Sequence, residues 1–212
     1  LATAAQHYAA QPSNTGLADI SHAAEPGWME LFRRLNAATS GTVRLVRLRE
    51  RLRQLMPANP EFGRIDAGLI SLLRNWFNPG FLVLQPIDWS TPANILEKII
   101  AYEAVHEITS WDNLRARLAP EDRRCFAFFH PAMPDEPLIF VEVALTTDIP
   151  QRIDEVLALQ RDVDAATSAT TAVFYSISNC QNGLAGISFG NFLIKRVARQ
   201  LRSELPNLTR FV

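Results

Sequence analysis

Thr171-Ala172-Val173-Phe174-Tyr175-Ser176-Ile177, followed after three residues by Gln181-Asn182-Gly183-Leu184-Ala185-Gly186-Ile187-Ser188-Phe189-Gly190-Asn191, is the stretch on which the fold turns. Its first segment is a short apolar run of strand length, and its last residue opens a segment, Asn191 to Ser203, with Phe192, Leu193, Val197 and Leu201 at helical spacing. The segment between them holds three of the nine glycines in the chain. A glycine-bearing turn from strand to helix lets backbone N–H groups converge ahead of the helix, where the dipole adds about half a positive charge. A diphosphate fits there without side-chain cations. The same loop also reads as a turn that merely packs helix on sheet. The thirty residues from Ala165 to Ile194 carry no charge, although a composition 20% charged would place about six there. Acidic residues would repel an anion, and backbone donors would make basic ones unnecessary.

Working outward, Leu208 to Val212 starts another apolar run. Upstream, Phe81 to Leu84, Cys125 to Phe129 and Leu138 to Leu145 read as strands, the last two joined by a hairpin-like, proline-rich connector. Ala165 to Thr170 reads as a linker of small residues, and Ile149 to Gln160 reads as a helix. A further helix begins with Thr91 as N-cap and Pro92 in its first turn, and Ser110-Trp111-Asp112 opens another. Before Asn78-Pro79-Gly80 the first third reads as helical, from Trp28 on, with a breaker cluster at Met56-Pro57-Ala58-Asn59-Pro60. Trp28 to Asn36 turns Leu31, Phe32 and Leu35 to one face, Val43 to Leu55 turns Leu45, Leu48, Leu52 and Leu55, and Phe62 to Phe77 follows. Arg44, Arg47 and Arg51, with Arg49 and Arg53 beside them, read as the solvated face of an amphipathic helix rather than a phosphate strip. The division expected is a helical domain over residues 1–77 and a mixed-sheet α/β domain over 78–212.

The 212 residues, 48% hydrophobic, suffice for a buried core without staples, and a net charge of −1 offers no general field for nucleic acid or an anionic membrane. No segment is apolar enough to span a bilayer. Cys125 and Cys180 match no metal spacing and suit a reduced, cytoplasmic setting. The first residue is Leu1 and the last run stops at Val212, so the chain is expected to be a piece of a longer protein.

Phe128-Phe129-His130, Glu136-Pro137-Leu138 with Val141 to Thr146, Phe174 to Ser178 and Phe192 to Val197 resemble malonyl-CoA decarboxylases. So do Trp76-Phe77, Gly80-Phe81-Leu82 and Glu103-Ala104-Val105-His106. The resemblance runs from about Ala23 to Val212. It implies an N-terminal all-α helical domain followed by a GCN5-related N-acetyltransferase-like domain, incomplete at its C-terminus. It implies decarboxylation of malonyl-CoA to acetyl-CoA and CO2, with no cofactor because coenzyme A belongs to the substrate, and no metal. A homo-oligomer formed through the helical domain is expected. In this fold the diphosphate turn runs Arg/Gln-x-x-Gly-x-Gly/Ala, which falls on Ala185, Gly186, Ile187, Ser188, Phe189 and Gly190, with Asn191 next. Ala185 and Ser188 depart from it, so the Arg/Gln position is empty. The resemblance places the catalytic serine and histidine beyond Val212, so a polypeptide ending there is expected to be inactive.

Chemically, the thioester carbonyl is the electron sink; donors stabilise the enolate as CO2 leaves, and an acid protonates the α-carbon. An acyl-CoA N-acyltransferase of the same fold, or a non-catalytic acyl-CoA-binding protein, is the alternative. His106 and His130 read as structural. Ser176, on the site side of its strand if Val173 and Tyr175 face the other way, would bond the pantetheine or a loop carbonyl and lacks a base to act as a nucleophile. Glu142, inside an apolar strand, requires a partner or an exposed face, with a general base as the other reading.

Overall fold

A computed structural model describes residues 1–161, 163 and 167–212. It divides into two compact units, Leu1–Ser71 and Leu72–Val212. The expected linker residues Ala165 and Ala166 lie outside the described residues.

The first unit is helical, with α1 (Ala2–Ala10), α2 (Asn14–Ala24), α3 (Gly27–Ala37), α4 (Gly41–Leu55) and most of α5 (Gly63–Trp76). The face of α4 is rotated from the one expected. Thr42, Leu45, Val46 and Arg49 are buried at i, i+3, i+4 and i+7, while Leu48 and Leu55 are exposed. Arg49 therefore leaves the solvated arginine set. Its Nε and Nη2 donate to the two carboxylate oxygens of Asp66 at 2.8 and 3.3 Å, which satisfies a guanidinium that is 1% exposed. Leu31 and Leu35 of α3 are likewise exposed, and Phe32 alone of the three is buried. Gly68 is required by a close approach, since a Cβ there would meet the Trp28 ring at 2.1 Å.

The second unit takes in the end of α5, because Leu72, Leu73 and Phe77 are buried and Phe77 packs on His130. It continues with β1 (Val83–Ile87), α6 (Ala93–Tyr102), α7 (Trp111–Leu118), β2 (Arg123–Phe129), β3 (Ile139–Thr146), α8 (Ile153–Leu157), β4 (Thr171–Asn179), α9 (Gly190–Glu204) and β5 (Arg210–Phe211). The strands form one sheet in the order β1-β2-β3-β4-β5. Neighbours are antiparallel up to β4, and β4–β5 is parallel, so the sheet is mixed as expected. Cys125, Ala127 and Phe129 face Ile95, Leu96, Ile99 and Leu114 of α6 and α7. Phe128 points the other way by strand alternation and stacks on Phe192 of α9 at 5.5 Å.

Several element boundaries differ from the sequence reading. Phe81 lies in a 3₁₀ turn and is exposed, and the first strand runs on through Pro86, which an edge strand tolerates. Pro92 caps α6, while the Thr91 hydroxyl accepts from Asp88 N at 3.0 Å. The helix expected over Ile149 to Gln160 shrinks to Ile153–Leu157. Arginine side chains take the carbonyls that would extend it: Arg123 donates to Val156 O and Arg161 to Ala158 O. Among the described residues, no helix is long and apolar enough to cross a membrane.

Candidate functional site

The end of β4 is held by Cys180 N, which donates to Leu138 O, and by Gln181 Nε2, which donates to Pro137 O; both distances are 3.0 Å. Asn182–Leu184 then forms a 3₁₀ turn, and Ile187 N returns to Leu184 O at 3.0 Å. Gly186 sits between them at φ 87, a left-handed conformation that a side chain disfavours. Phe189, buried at 3%, anchors the loop and stands at the N-cap of α9 without a side-chain cap.

The amides of Ser188, Phe189, Gly190, Asn191 and Phe192 donate to no protein group among the described residues, and the first helical bond of α9 is Leu193 N to Phe189 O at 2.9 Å. Five successive donors thus stand at the positive end of a 15-residue helix. Beside them lies a cavity of about 330 Å³ whose walls include Leu138, Asn179, Gln181, Leu184, Gly186 and Phe189. None of its lining residues carries a charge.

The structure gathers Ala185 through Asn191 into this loop, but the two glycines exchange roles. Gly190 is in the helix, and a Cβ there would meet nothing within 4 Å, so its backbone does not require glycine. Gly186 is the residue whose conformation does. Lys195, Arg196 and Arg199 lie further along α9. Arg196 sits over the Phe192 ring at 5.8 Å, and Arg199 Nε donates to Lys195 O.

Ser176 is committed elsewhere. A bulge pairs Glu142 with Ser176 but Val143 with Phe174, leaving Tyr175 extra and interrupting the alternation used to orient Ser176. Its hydroxyl, 2% exposed, lies 2.8 Å from both carboxylate oxygens of Glu103. Glu103 also accepts from Ser178 Oγ and from the amides of Val105 and His106, so it pins the chain after α6 to β4. Glu142, fully buried, accepts from Arg117 Nη1 at 3.1 Å, which supplies the partner its place in an apolar strand demanded. Burial, with the nearby Glu103 carboxylate adding to it, lifts its carboxyl to about 7 against the pull of Arg117. Its Oε1, the Tyr175 hydroxyl and Asn113 Oδ1 are buried without a partner among the described residues.

His130 is structural: Nε2 bonds Trp76 O at 3.0 Å and Nδ1 accepts from Ala132 N at 3.1 Å, which fixes the neutral tautomer. Burial holds its pKa below the ordinary value. His106 is half-buried, with its ring 6.4 Å from that of Tyr175. Sequence reasoning missed Arg74, whose Nη2 donates to Gly186 O at 3.3 Å across 112 positions, and the Arg117 and Glu103 pairings.

Two family models cover the chain: the malonyl-CoA decarboxylase N-terminal domain matches residues 1–77, and the C-terminal domain matches 80–212. The crystal structure of malonyl-CoA decarboxylase from Agrobacterium vitis superposes with a TM-score of 0.94 at 58% identity, over 99% of this chain and 51% of that one. The Rhodopseudomonas palustris enzyme gives 0.92 and 57%, again over 99% and 51%. The mitochondrial malonyl-CoA decarboxylase of Anser anser anser is 40% identical over 195 residues, 88% of this chain and 38% of that protein. A fold of helical unit plus mixed sheet, matched along nearly its whole length, defines the class: this chain belongs to the malonyl-CoA decarboxylase family. It spans about half the length of those crystal structures and 38% of the Anser protein.

Proposed function

We propose that the chain serves in the decarboxylation of malonyl-CoA to acetyl-CoA and CO2, and that its own share is to grip coenzyme A. The observation that carries this reading is the set of five acceptor-free amides from Ser188 to Phe192 beside an uncharged cavity, on a family member whose relatives bear the name malonyl-CoA decarboxylase. Ala185 to Asn191 would hold the diphosphate through N–H donors and the α9 dipole. The cavity bounded by Leu138 and Asn179 would take the adjoining pantetheine. Holding the thioester in a fixed orientation lets the breaking C–C bond overlap the carbonyl π system. By the family resemblance, enolate stabilisation and proton delivery belong to a serine and a histidine outside residues 1–212. Ser176 does not take such a role, since its proton is directed to Glu103. No cofactor is invoked.

Gly190→Val in the whole protein is the test. Because a Cβ there meets open space, the variant probes the ligand and not the fold. It should raise KM for malonyl-CoA by about tenfold or more with kcat within about twofold, as expected when ground and transition states lose the same contact. An unchanged KM makes the loop a packing turn. Acyl transfer to an amine without CO2 release, or binding without turnover, would replace the proposed reaction.

The same proposal includes self-association through the helical unit, where Leu17, Leu31, Leu35 and Leu48 are exposed, in a reducing cytoplasm that suits two buried free cysteines. Light scattering on the whole protein would read a monomer if that association is wrong.

A further inference from the structure

The loop has a charge deficit. A diphosphate carries at least two negative charges, the N-terminus of α9 offers about half a positive one, and the cavity walls offer none. Lys195, the first cation along α9, lies about 7.5 Å along the axis from Gly190. Arg74 is nearer in contact if not in sequence, because its Nη2 already bonds the loop at Gly186 O.

That carbonyl has a reason to need a donor. Gly186 alone among the described glycines has positive φ, so its peptide is turned against its neighbours. Arg74 holds it at 3.3 Å, and among the described residues this is the one protein acceptor for a fork with five N–H donors. Arg74 is an exposed residue. A residue at Ala185 could have supplied such a group from within the loop, but alanine cannot.

We infer that Arg74 is the cation of this site: one arm of its fork fixes the turned carbonyl of Gly186, and the remaining donors face the diphosphate bound on the amides of Ser188 to Phe192. This rests on the reading of the loop as a coenzyme A site. Arg74 both positions the loop and touches the ligand, so its loss acts on binding of the diphosphate end and leaves the acyl end alone.

The experiment uses the whole protein with Arg74→Ala, Arg74→Gln and, as reference, Gly190→Val, each assayed on malonyl-CoA and on malonyl-pantetheine, which lacks the diphosphate. Arg74→Ala should raise KM for malonyl-CoA about tenfold, the size of one charge-assisted hydrogen bond. Its kcat should stay within about twofold, and kcat/KM on malonyl-pantetheine should match the wild type. Arg74→Gln, which keeps a donor for Gly186 without the charge, should fall between the two. If Arg74→Ala is wild type while Gly190→Val raises KM, the inference fails and the loop reading stands. If neither variant changes KM, both fail. Equal losses on the two substrates would reduce Arg74 to a structural support and overturn the inference.

Discussion

On the face of the sheet under α6 and α7, Arg117 donates to Glu142, and Ser176 and Ser178 donate to Glu103, with Glu142 Oε1 the one buried carboxylate oxygen of the set left without a partner among the described residues. At the end of β4, Ser188 to Phe192 offer five amides to no protein group among the described residues. The first region is rich in charge and closed; the second is uncharged and open. Buried charges cost too much to leave unpaired, so such a cluster must draw its partners from several elements. Helix-end amides at the surface carry no such penalty because water can satisfy them, and they remain available to an anion. Charge in a strand thus marks structural pairing here, whereas absence of charge across a glycine-bearing turn accompanies backbone donors left open.

If that contrast is right, the largest effect belongs to the closed region. Arg117→Met would strand the fully buried Glu142 and should remove about 3–5 kcal/mol of stability, read from urea unfolding at pH 8. A loss under about 1 kcal/mol would show that the pair is not what holds the carboxylate.

The next effect is a pH dependence. The folded protein holds the Glu142 proton more tightly than the unfolded chain does, lifting the carboxyl from 4.5 to about 7 through burial. Stability should therefore fall as pH rises through that window, by about 3 kcal/mol in all. Glu142→Gln should match the wild type near pH 5 and lack the slope; an unchanged slope would assign it to another group.

Ser176→Ala should cost about 1–2 kcal/mol through its bond to the Glu103 carboxylate, yet leave KM for malonyl-CoA untouched. A raised KM would return Ser176 to the site and blur the distinction between the two regions.

The smallest effect is a gain. Gly190→Ala, in open space at the start of α9, should stabilise the fold by about 0.4–1 kcal/mol while weakening coenzyme A binding. Opposite signs for stability and affinity are what an open site predicts, and a loss of stability would contradict it.

Legibility follows the range of the forces involved. Phe192, Leu193, Val197 and Leu201 repeat at helical spacing, so α9 can be read within one residue of its start and end. Two of the strands are legible as well, because Cys125 to Phe129 is a continuous apolar run and Leu138 to Leu145 is broken only by Glu142. α1 and α2 bury no residue, so no periodic apolar face announces them. The buried face of α4 misleads because Arg49 lies inside and Leu48 outside, which only Asp66 on a second helix decides. Glycines and missing charges locate the loop. Its contact with Arg74 spans 112 positions and that of Ser176 with Glu103 spans 73, and neither leaves a local trace. The bulge at Tyr175 is invisible for the same reason, and with it the true facing of Ser176.

In the sheet, spatial order and chain order coincide from β1 to β5. A ribosome releasing this chain would deliver each strand beside the neighbour it needs, at about 5–20 residues per second. β2, β3 and β4 could add by successive antiparallel pairing with little search through distant sequence. The exception is the step after β4. β5 joins in parallel, so its arrival waits on α9 crossing the sheet, and the loop between Asn179 and Gly190 is the hinge of that crossing. Nascent chains halted before and after α9 should accordingly differ in protease resistance at β4, which makes the turn that carries the five open amides also the joint on which β5 waits.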